Sequence, residues 1–452
     1  MKFFRVGSEF ILRKIKPVIG IILTLAFLAL CFTPQVMTLL CLPDYQRMVV
    51  GESNEIKINL PTHLAKRIDL EVTNPMESVF VSSQDPPVVI NRDGSNYQIT
   101  ALSPGKADVQ LKLLGYIPVK SIAIESLPPR RVVPGGHSIG VLLESRGIMV
   151  VGFAPILDSN GNKHYPARDK GIEIGDLIFR VDGKSISGEN ELARIIDEQK
   201  GKPVTISIKR RDKFINLQIT PIACAETNRY RIGLFVRDGI VGVGTLSFWD
   251  PNTSEFAALG HIIVDADTRQ SIDVLRGKIV SASIQAIKRG KPGQPGEKIG
   301  IFNENSKIAG NINKNTYYGI YGQTDGPIKN PLFNYAMEVG YAHQVKEGKA
   351  EILTVVNGED VERFAIEIEK VYPERNNGKG MVIRVTDPRL LSITGGIIQG
   401  MSGSPIIQDS RIVGAVTHVF LNDPERGYGI FMDNMLSEMA EDNKRLTVYS
   451  TN

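Results

Sequence analysis

The sequence predicts a mainly β chain of several modules behind an N-terminal membrane helix. Lys2, Arg5, Arg13, Lys14 and Lys16 precede an apolar run from Pro17 to about Phe32, which continues less purely to Leu42. Beyond Pro43, short runs of alternating apolar and polar residues recur between Gly, Pro and Asn turns, the pattern of half-buried strands. The 452 residues, 42% of them hydrophobic, suffice for two or three domains with sizeable cores. The net charge of +4, from 53 basic and 49 acidic residues, is spread along the chain without a long basic patch. That argues against nucleic acid as a partner.

Residues 1–43 are read as a cytoplasmic basic tail and a membrane anchor. An apolar helix of this length crosses roughly 30 Å of hydrocarbon, and its basic flank stays cytoplasmic. A cleaved signal peptide is the alternative, although Thr33-Pro34 and Leu40-Cys41 make poor cleavage sites. Leu30 directly before Cys31 speaks against a lipoprotein site. In either case the bulk of the chain is exported. Cys31 and Cys41 belong to this region, which leaves Cys224 as a single thiol beyond it. One thiol makes no internal disulfide and no Cys-rich zinc site, so Cys224 is expected to pack as an apolar side chain. No metal or organic cofactor is called for.

Residues 44–127 read as a small antiparallel sandwich. The strand candidates are Ile56–Leu60, Ile68–Val72, Val79–Val81, Tyr97–Ile99, Val109–Leu113 and Val119–Ile124, each bounded by turn residues. The stretch Ala101–Val109 resembles the end of bacterial immunoglobulin-like domains. No catalytic set lies in this module, which suits a spacer, a docking domain or a stalk.

Pro128-Pro-Arg-Arg-Val-Val-Pro134 resists regular structure and is placed as a linker opening the module at residues 128–221. Gly136–Leu143 reads as a Gly-bounded loop entering a strand, and Gly147–Gly152 as a second strand. The run ARDKGIEIGDLIFRVDG, Ala167–Gly183, resembles the PDZ signature, with the Gly175-Asp176 pair before the strand Leu177–Val181. A helix over Asn190–Gln199 and a strand over Val204–Lys209 complete that pattern. PDZ domains take a peptide as an added strand while loop amides hold its terminal carboxylate. Ser138, Ile139, Gly140 and Val141 are the expected peptide-binding loop, and the bland alternative is a rigid domain with an unused groove.

Residues 222–452 carry the chemistry. In Gly400-Met-Ser-Gly-Ser-Pro405 a serine sits among small residues that permit a tight turn. Acyl transfer to water needs such a turn, because neighbouring N–H groups must face the carbonyl oxygen as it gains charge. Ser402 is the candidate nucleophile, and the amides of Gly400 and Ser402 are the candidate oxyanion hole. Ser404 stands where glycine is usual. Of the histidines in this part, His261 lies in the apolar stretch Phe256–Val264 and is the first choice for the base. His418, on the strand after the serine, is expected to form pocket wall, and His343 has a plain polar context. For the carboxylate, Asp387 ends a strand before a proline, while Asp265 and Asp267 follow His261 closely. Their roles alone do not decide among the three. Residues 278–329, rich in Gly, Lys, Asn and Pro, read as a loop-rich insertion.

The order His261, Asp387, Ser402, the stretch GGIIQGMSGSPIIQDSRIVGAVTHVFLNDPERGYGIFM, the ALGH segment and the upstream PDZ-like run together resemble the stage IV sporulation protein B (SpoIVB) serine peptidases of endospore-forming Firmicutes. The resemblance implies a triad on His261, Asp387 and Ser402 in a chymotrypsin-like double β-barrel. It also implies export across the forespore membrane, with the catalytic part in the intermembrane space. There such an enzyme would cleave itself and a membrane-associated inhibitor of an intramembrane protease, triggering late sigma-factor activation. A function of another class is a membrane-tethered PDZ scaffold whose protease-like domain is inactive.

Overall fold

The computed structural model describes residues 44–57, 67–73, 86–93 and 96–439, apart from 187, 273, 304–307, 334, 374 and 376, together with 24, 25, 33 and 42. The expected membrane anchor and the strand at Val79–Val81 lie outside the described residues. Among the described residues, no helix is long and apolar enough to cross a membrane. The chain divides into two units, Met1–Arg130 and Arg131–Asn452.

The first unit is built from two small sheets. Tyr45–Val49 pairs parallel with Ile117–Leu127, which continues antiparallel to Gly105–Leu113 and then to Ile68–Thr73. The second sheet joins Ser53–Lys57, Asn96–Ala101 and Val88–Asp93. Alternation decides which side chains turn inward: in Gly105–Leu113, Ala107, Val109 and Leu111 are buried while the residues between them are not. These side chains meet Met48, Val88, Tyr97, Ile99 and Ile124 in one core shared by both sheets. The strands Tyr45–Val49 and Val88–Asp93 were not among those expected. Both are short and carry polar residues at half their positions, which weakens the apolar signal.

In the second unit, one strand organises everything that follows. Ser138–Phe153 pairs along its first half with Leu234–Trp249 on one edge and with Val274–Lys288 on the other. Its second half reaches Leu177–Val181 through Met149 and Ile148. A single strand therefore serves both the barrel and the PDZ-like sheet, and the PDZ-like residues sit between two barrel strands of the sequence. The expected peptide-binding loop Ser138–Val141 is corrected accordingly. Ser138 and Ile139 pair with Thr245 and Gly244, Gly140 and Val141 pair with Val243 and Gly242, and Ile139–Val141 also pair with Ser281–Ile279. Backbone with both edges filled has no amides left for a ligand.

The PDZ-like part surrounds its own core of Ile148, Val150, Ile178, Leu192, Ile196, Val204 and Ile206. Its helix, Glu189–Glu198, buries Leu192 and Ile196, spaced one turn apart, and ends before Lys200 and Gly201, both at positive φ. The Gly175-Asp176 turn acts as a pin. Gly175 takes φ +93°, and the buried Asp176 carboxylate receives Arg210 Nε at 2.7 Å, Arg210 Nη2 at 2.8 Å and the Glu173 amide at 2.8 Å.

The remaining strands enclose two further cores. One gathers Ile139, Val141, Leu246, Phe256, Ile279, Ile312 and Ile320. The other gathers Ile352, Phe364, Ile366, Met381, Ile383, Ile406 and Phe431. Each fully buried Phe in these cores contributes about 1.5–3 kcal/mol relative to exposure. The expected loop-rich insertion at 278–329 is corrected too: it contains most of the strand Val274–Lys288 and all of Glu297–Asn303, Ala309–Thr316 and Gly319–Thr324. Gly310 and Gly322 sit where an added Cβ would meet facing backbone at 2.5 and 1.7 Å. The glycines that looked like loop residues are there because neighbouring strands approach closely.

Candidate active site

Ser402 lies on the turn between Ile398 and Pro405, and the strand Leu234–Trp249 clamps that turn. Thr245 donates its hydroxyl to the Gly400 carbonyl at 2.6 Å and its amide to the Ser402 carbonyl at 3.0 Å. The Thr245 carbonyl accepts the Leu259 amide at 3.2 Å, which ties in the segment leading to His261. Gly403, at φ +95°, lets the turn come this close, because a Cβ there would stand 2.0 Å from the Thr245 carbonyl oxygen and 2.5 Å from the Leu259 nitrogen. On the strand Arg411–Phe420, the Val416 carbonyl accepts the Gly403 amide at 2.7 Å, and the Thr417 carbonyl accepts Ser402 Oγ at 2.8 Å.

Two amides of this turn are idle. Met401 and Ser404 donate to Ile398 and Met401, but the Gly400 and Ser402 N–H groups have no acceptor among the described residues. Those are the two expected oxyanion donors. Ser404 differs from Ser402: it is fully buried, its backbone groups bond to Met401 and Val416, and its Oγ has no partner.

His261, Ser402, Gly400 and His418 line one cavity of about 650 Å³, together with Lys379, Tyr317 and Ile240. His261 Nδ1 lies 2.9 Å from the Ile262 carbonyl. A carbonyl can only accept, so Nδ1 carries the proton and Nε2 keeps its lone pair, the tautomer a general base needs. Burial lowers the His261 pKa below the ordinary imidazole value, opposed by that carbonyl bond. The His418 ring is 5.3 Å away, centroid to centroid.

Asp387 is not brought to this cavity. It caps the helix Pro388–Thr394, accepting from the Arg389 amide at 2.9 Å, Arg389 Nε at 3.2 Å, Arg389 Nη2 at 3.0 Å and the Ala365 amide at 3.3 Å. The Arg389 guanidinium holds its carboxyl below the usual carboxylate range. Lys379 lines the cavity before the strand Met381–Val385, and Asp387 lies past the strand's other end. Those five residues span roughly 16 Å at about 3.3 Å each. Among the described residues Asp387 accepts only from Arg389 and Ala365 and does not line the cavity, so the expected Asp387–His261 contact is not formed, and the Ile262 carbonyl occupies the nitrogen that Asp387 was to hold. Asp265 is a turn residue, its carboxylate taken by Arg237 and by the Asp267 and Thr268 amides. Asp267 pairs with Arg237 at 2.8 Å. His343 stacks on Tyr341, and Cys224 is buried as expected.

Lys298 was not anticipated. It is 2% exposed, and its Nζ donates to Thr354 Oγ1 at 2.7 Å and contacts Ser138 Oγ at 3.4 Å. Burial pushes its ammonium down to about 7. Its methylenes lie beneath Gly400, and its amide donates to Gln399 at 3.0 Å. A charged residue inside an alternating strand such as Glu297–Asn303 is ordinarily read as facing solvent, so nothing local in the chain points to it.

A second cavity, about 400 Å³, lies between the helix Glu189–Glu198 and Ile232–Val236, with Leu192, Ala193, Ile196, Leu234 and Val236 among its walls. Leu234 and Val236 pair with Phe153 and Val150 on one edge. Among the described residues no strand pairs with the other. This is the geometry of a peptide groove. The sequence signal for it is Ile232-Gly-Leu-Phe235, a Gly-containing apolar run of the same kind as Ser138–Val141.

Residues 228–436 match the SpoIVB peptidase S55 family, and residues 158–210 match a PDZ domain. Over residues 228–436 the chain is thus similar to the SpoIVB peptidases. The peptidase match and the PDZ match both lie in the unit Arg131–Asn452. A carboxy-terminal-processing protease of Bartonella bacilliformis is 31% identical over 152 residues, which is 32% of this chain and 31% of that protein. The chain spans less than a third of the length of the curated relatives it matches. Among solved structures, the PDZ domain of an SdrC-like protein from Listeria monocytogenes is 26% identical, with a TM-score of 0.17 over 21% of this chain and 90% of that one. The active form of the Rv3671c protease from M. tuberculosis is 12% identical, with a TM-score of 0.25 over 44% of this chain and 74% of that one.

Proposed function

We propose that this chain is a serine endopeptidase in which Ser402 is the nucleophile, His261 the general base, and the Gly400 and Ser402 amides the oxyanion hole. One observation carries the reading: a half-exposed serine hydroxyl, two amides without acceptors and an imidazole with a free Nε2 line the same cavity. In the reaction Ser402 Oγ leaves the Thr417 carbonyl, gives its proton to His261 Nε2 and attacks the scissile carbonyl. The two amides stabilise the oxyanion, His261 protonates the leaving amine, and water then releases the acyl-enzyme. Asp387 has no part in this scheme. The Ile262 carbonyl fixes the imidazole tautomer in its place, without a negative charge to stabilise the imidazolium.

In this reading, which the similarity to SpoIVB peptidases supports, the substrate is a membrane-associated regulatory protein, and the chain itself, cleaved outside the cytoplasm during sporulation to trigger intramembrane proteolysis and late sigma-factor activation. The N-terminal apolar run would hold the enzyme at the forespore membrane with its catalytic part in the intermembrane space. The groove beside Glu189–Glu198 would take a peptide strand from the substrate or from a partner. The second reading, a PDZ scaffold with an inactive protease-like domain, draws support from the missing carboxylate at His261. Incubation of purified wild-type and Ser402→Ala protein separates the two: self-cleavage in the wild type alone supports the peptidase, and equal persistence of both full-length chains supports the scaffold.

A further inference from the structure

The proposed mechanism makes no use of Lys298, yet this buried lysine meets the oxyanion turn twice, through its backbone and through its side chain. The strand Glu297–Asn303 joins the turn by a parallel bridge between Glu297 and Gln399. There the Gly296 carbonyl accepts the Gln399 amide at 2.9 Å, and the Lys298 amide donates to the Gln399 carbonyl at 3.0 Å. The second bond bears on catalysis, because the Gln399 carbonyl and the Gly400 N–H belong to one peptide group. A trans peptide is planar and points its C=O and N–H in opposite directions, and no peptide bond among the described residues is cis. Gln399 and Gly400 line the Ser402 cavity, whereas Lys298 is not among its walls. Fixing the carbonyl on Lys298 therefore turns the Gly400 N–H toward the cavity.

The side chain fills the space that this peptide would need to turn over. Gly400 has φ +92°, and a Cβ added there would stand 3.0–3.2 Å from Cβ, Cγ and Cδ of Lys298. The methylene stem thus packs directly against the Gly400 backbone. Its far end is tied down, because the ammonium reaches Thr354 on the strand Gly348–Val355 at 2.7 Å and Ser138 on the strand Ser138–Phe153 at 3.4 Å. Those strands supply Ile352 and Ile139 to different cores. One side chain therefore links both cores, with its middle under the oxyanion turn.

We propose that Lys298 is a positioning residue for the oxyanion hole, its amide and its methylene stem together holding the Gln399–Gly400 peptide with the N–H facing the substrate carbonyl. Turned over, that peptide would present a carbonyl oxygen to the oxyanion and withdraw one of the proposed donors. The ammonium anchors the stem and takes no part in the chemistry. A neutral side chain of similar reach should therefore serve, and replacing a buried charge by an apolar group of similar volume is often neutral or stabilising. The inference deepens the proposed peptidase mechanism and rests on it.

The test compares full-length wild type, Lys298→Ala and Lys298→Met in detergent, on a peptide spanning a self-cleavage site mapped in the wild type. Alanine stops at Cβ, whereas methionine reaches as far as the lysine Cε. Lys298→Ala should lower kcat by roughly 10- to 100-fold with KM within about twofold, because a whole oxyanion donor is worth about 10²–10³-fold and a misplaced one less. Lys298→Met should keep kcat within about threefold of wild type. A peptide aldehyde of the same sequence gives a second reading: Ser402 Oγ bonds to its carbonyl carbon, and the oxygen of the resulting hemiacetal sits in the oxyanion hole. Its Ki should rise for Lys298→Ala by the factor that kcat falls and stay unchanged for Lys298→Met. A thermal melt establishes that each variant is folded, and should the alanine variant not fold, Lys298→Val takes its place with a loss of about fivefold in kcat. Wild-type kcat in folded Lys298→Ala or Lys298→Val, or an equal loss in Lys298→Ala and Lys298→Met, overturns this role and leaves the peptidase reading standing. A wild-type chain that shows no cleavage overturns that reading and this inference together.

Discussion

The turn at Ser402 and the helix cap at Asp387 were both expected to be catalytic, and they differ in how much hydrogen-bonding capacity is left unused. Asp387 has four donors on its two oxygens, all from Arg389 and Ala365. The Ser402 turn is held just as firmly, but by its carbonyls and by the Gly403 and Ser404 amides. Its Gly400 and Ser402 amides remain unspent. A buried or half-buried polar group without a partner costs about 1–3 kcal/mol, so a fold retains such groups together at one point when a ligand supplies the missing bonds. Saturation suits a structural Asp387, and the two unused amides suit the catalytic role proposed for Ser402.

The largest effect that could break this contrast is at the nucleophile. Ser402→Ala should lower kcat/KM by roughly 10⁴-fold or more, measured on a peptide spanning a self-cleavage site. Ser404→Ala removes a hydroxyl that has no partner and should leave turnover nearly unchanged. Equal losses at both serines would put the nucleophile in doubt. Thr245→Val comes next. It deletes the hydroxyl bond to the Gly400 carbonyl while the Thr245 amide keeps its hold on Ser402, so the oxyanion donors shift without unfolding the turn. A fall in kcat of roughly 10- to 100-fold is expected, with KM little changed.

The pH profile sharpens the comparison further. His261 must be neutral to accept a proton, so kcat/KM is lost as pH falls through its pKa in the free enzyme. Burial lowers that pKa, and the acid limb should therefore lie below about 6.5, the ordinary imidazole value. A carboxylate on Nδ1 would favour the imidazolium and move the limb up. A limb well above 6.5 would mean that a carboxylate reaches His261 in the working enzyme.

Much of this was legible beforehand because it depends on local pattern. The ladder Gly105–Leu113, the helix Glu189–Glu198, the Gly175-Asp176 turn and the Ser402 turn each follow from apolar period or from residues that permit positive φ. Pairing was not legible. Ser138–Val141 reads as a loop until Leu234–Trp249 and Val274–Lys288 close on both its edges, and those partners lie about 100 and 140 residues away in sequence. The same holds for 278–329, where glycines demanded by close strand approach look like turn residues. For Asp387 the sequence showed a carboxylate before a proline, which suits a helix N-cap as well as a triad member. Arg389, two residues on, was the signal that separates them.

Asp387→Asn tests the contrast from the structural side. As a member of a triad, the substitution would cost about 10⁴-fold in kcat; as a helix cap, it should leave kcat within about tenfold. Asn can still accept from the Arg389 amide, so the loss falls on the charge paired with the guanidinium and should amount to about 1 kcal/mol of folding stability. The sign of its pH dependence follows from the lowered carboxyl pKa. A group depressed on folding stabilises the native state above its unfolded pKa of about 3.9, and that contribution disappears as pH falls through the folded value. Denaturant melts should therefore show wild type ahead of Asp387→Asn at pH 7 and the two converging as pH falls through the lowered carboxyl pKa. A gap that persists in acid would mean that the carboxylate acts through something other than its charge, and a collapse of kcat at neutral pH would return Asp387 to the catalytic set.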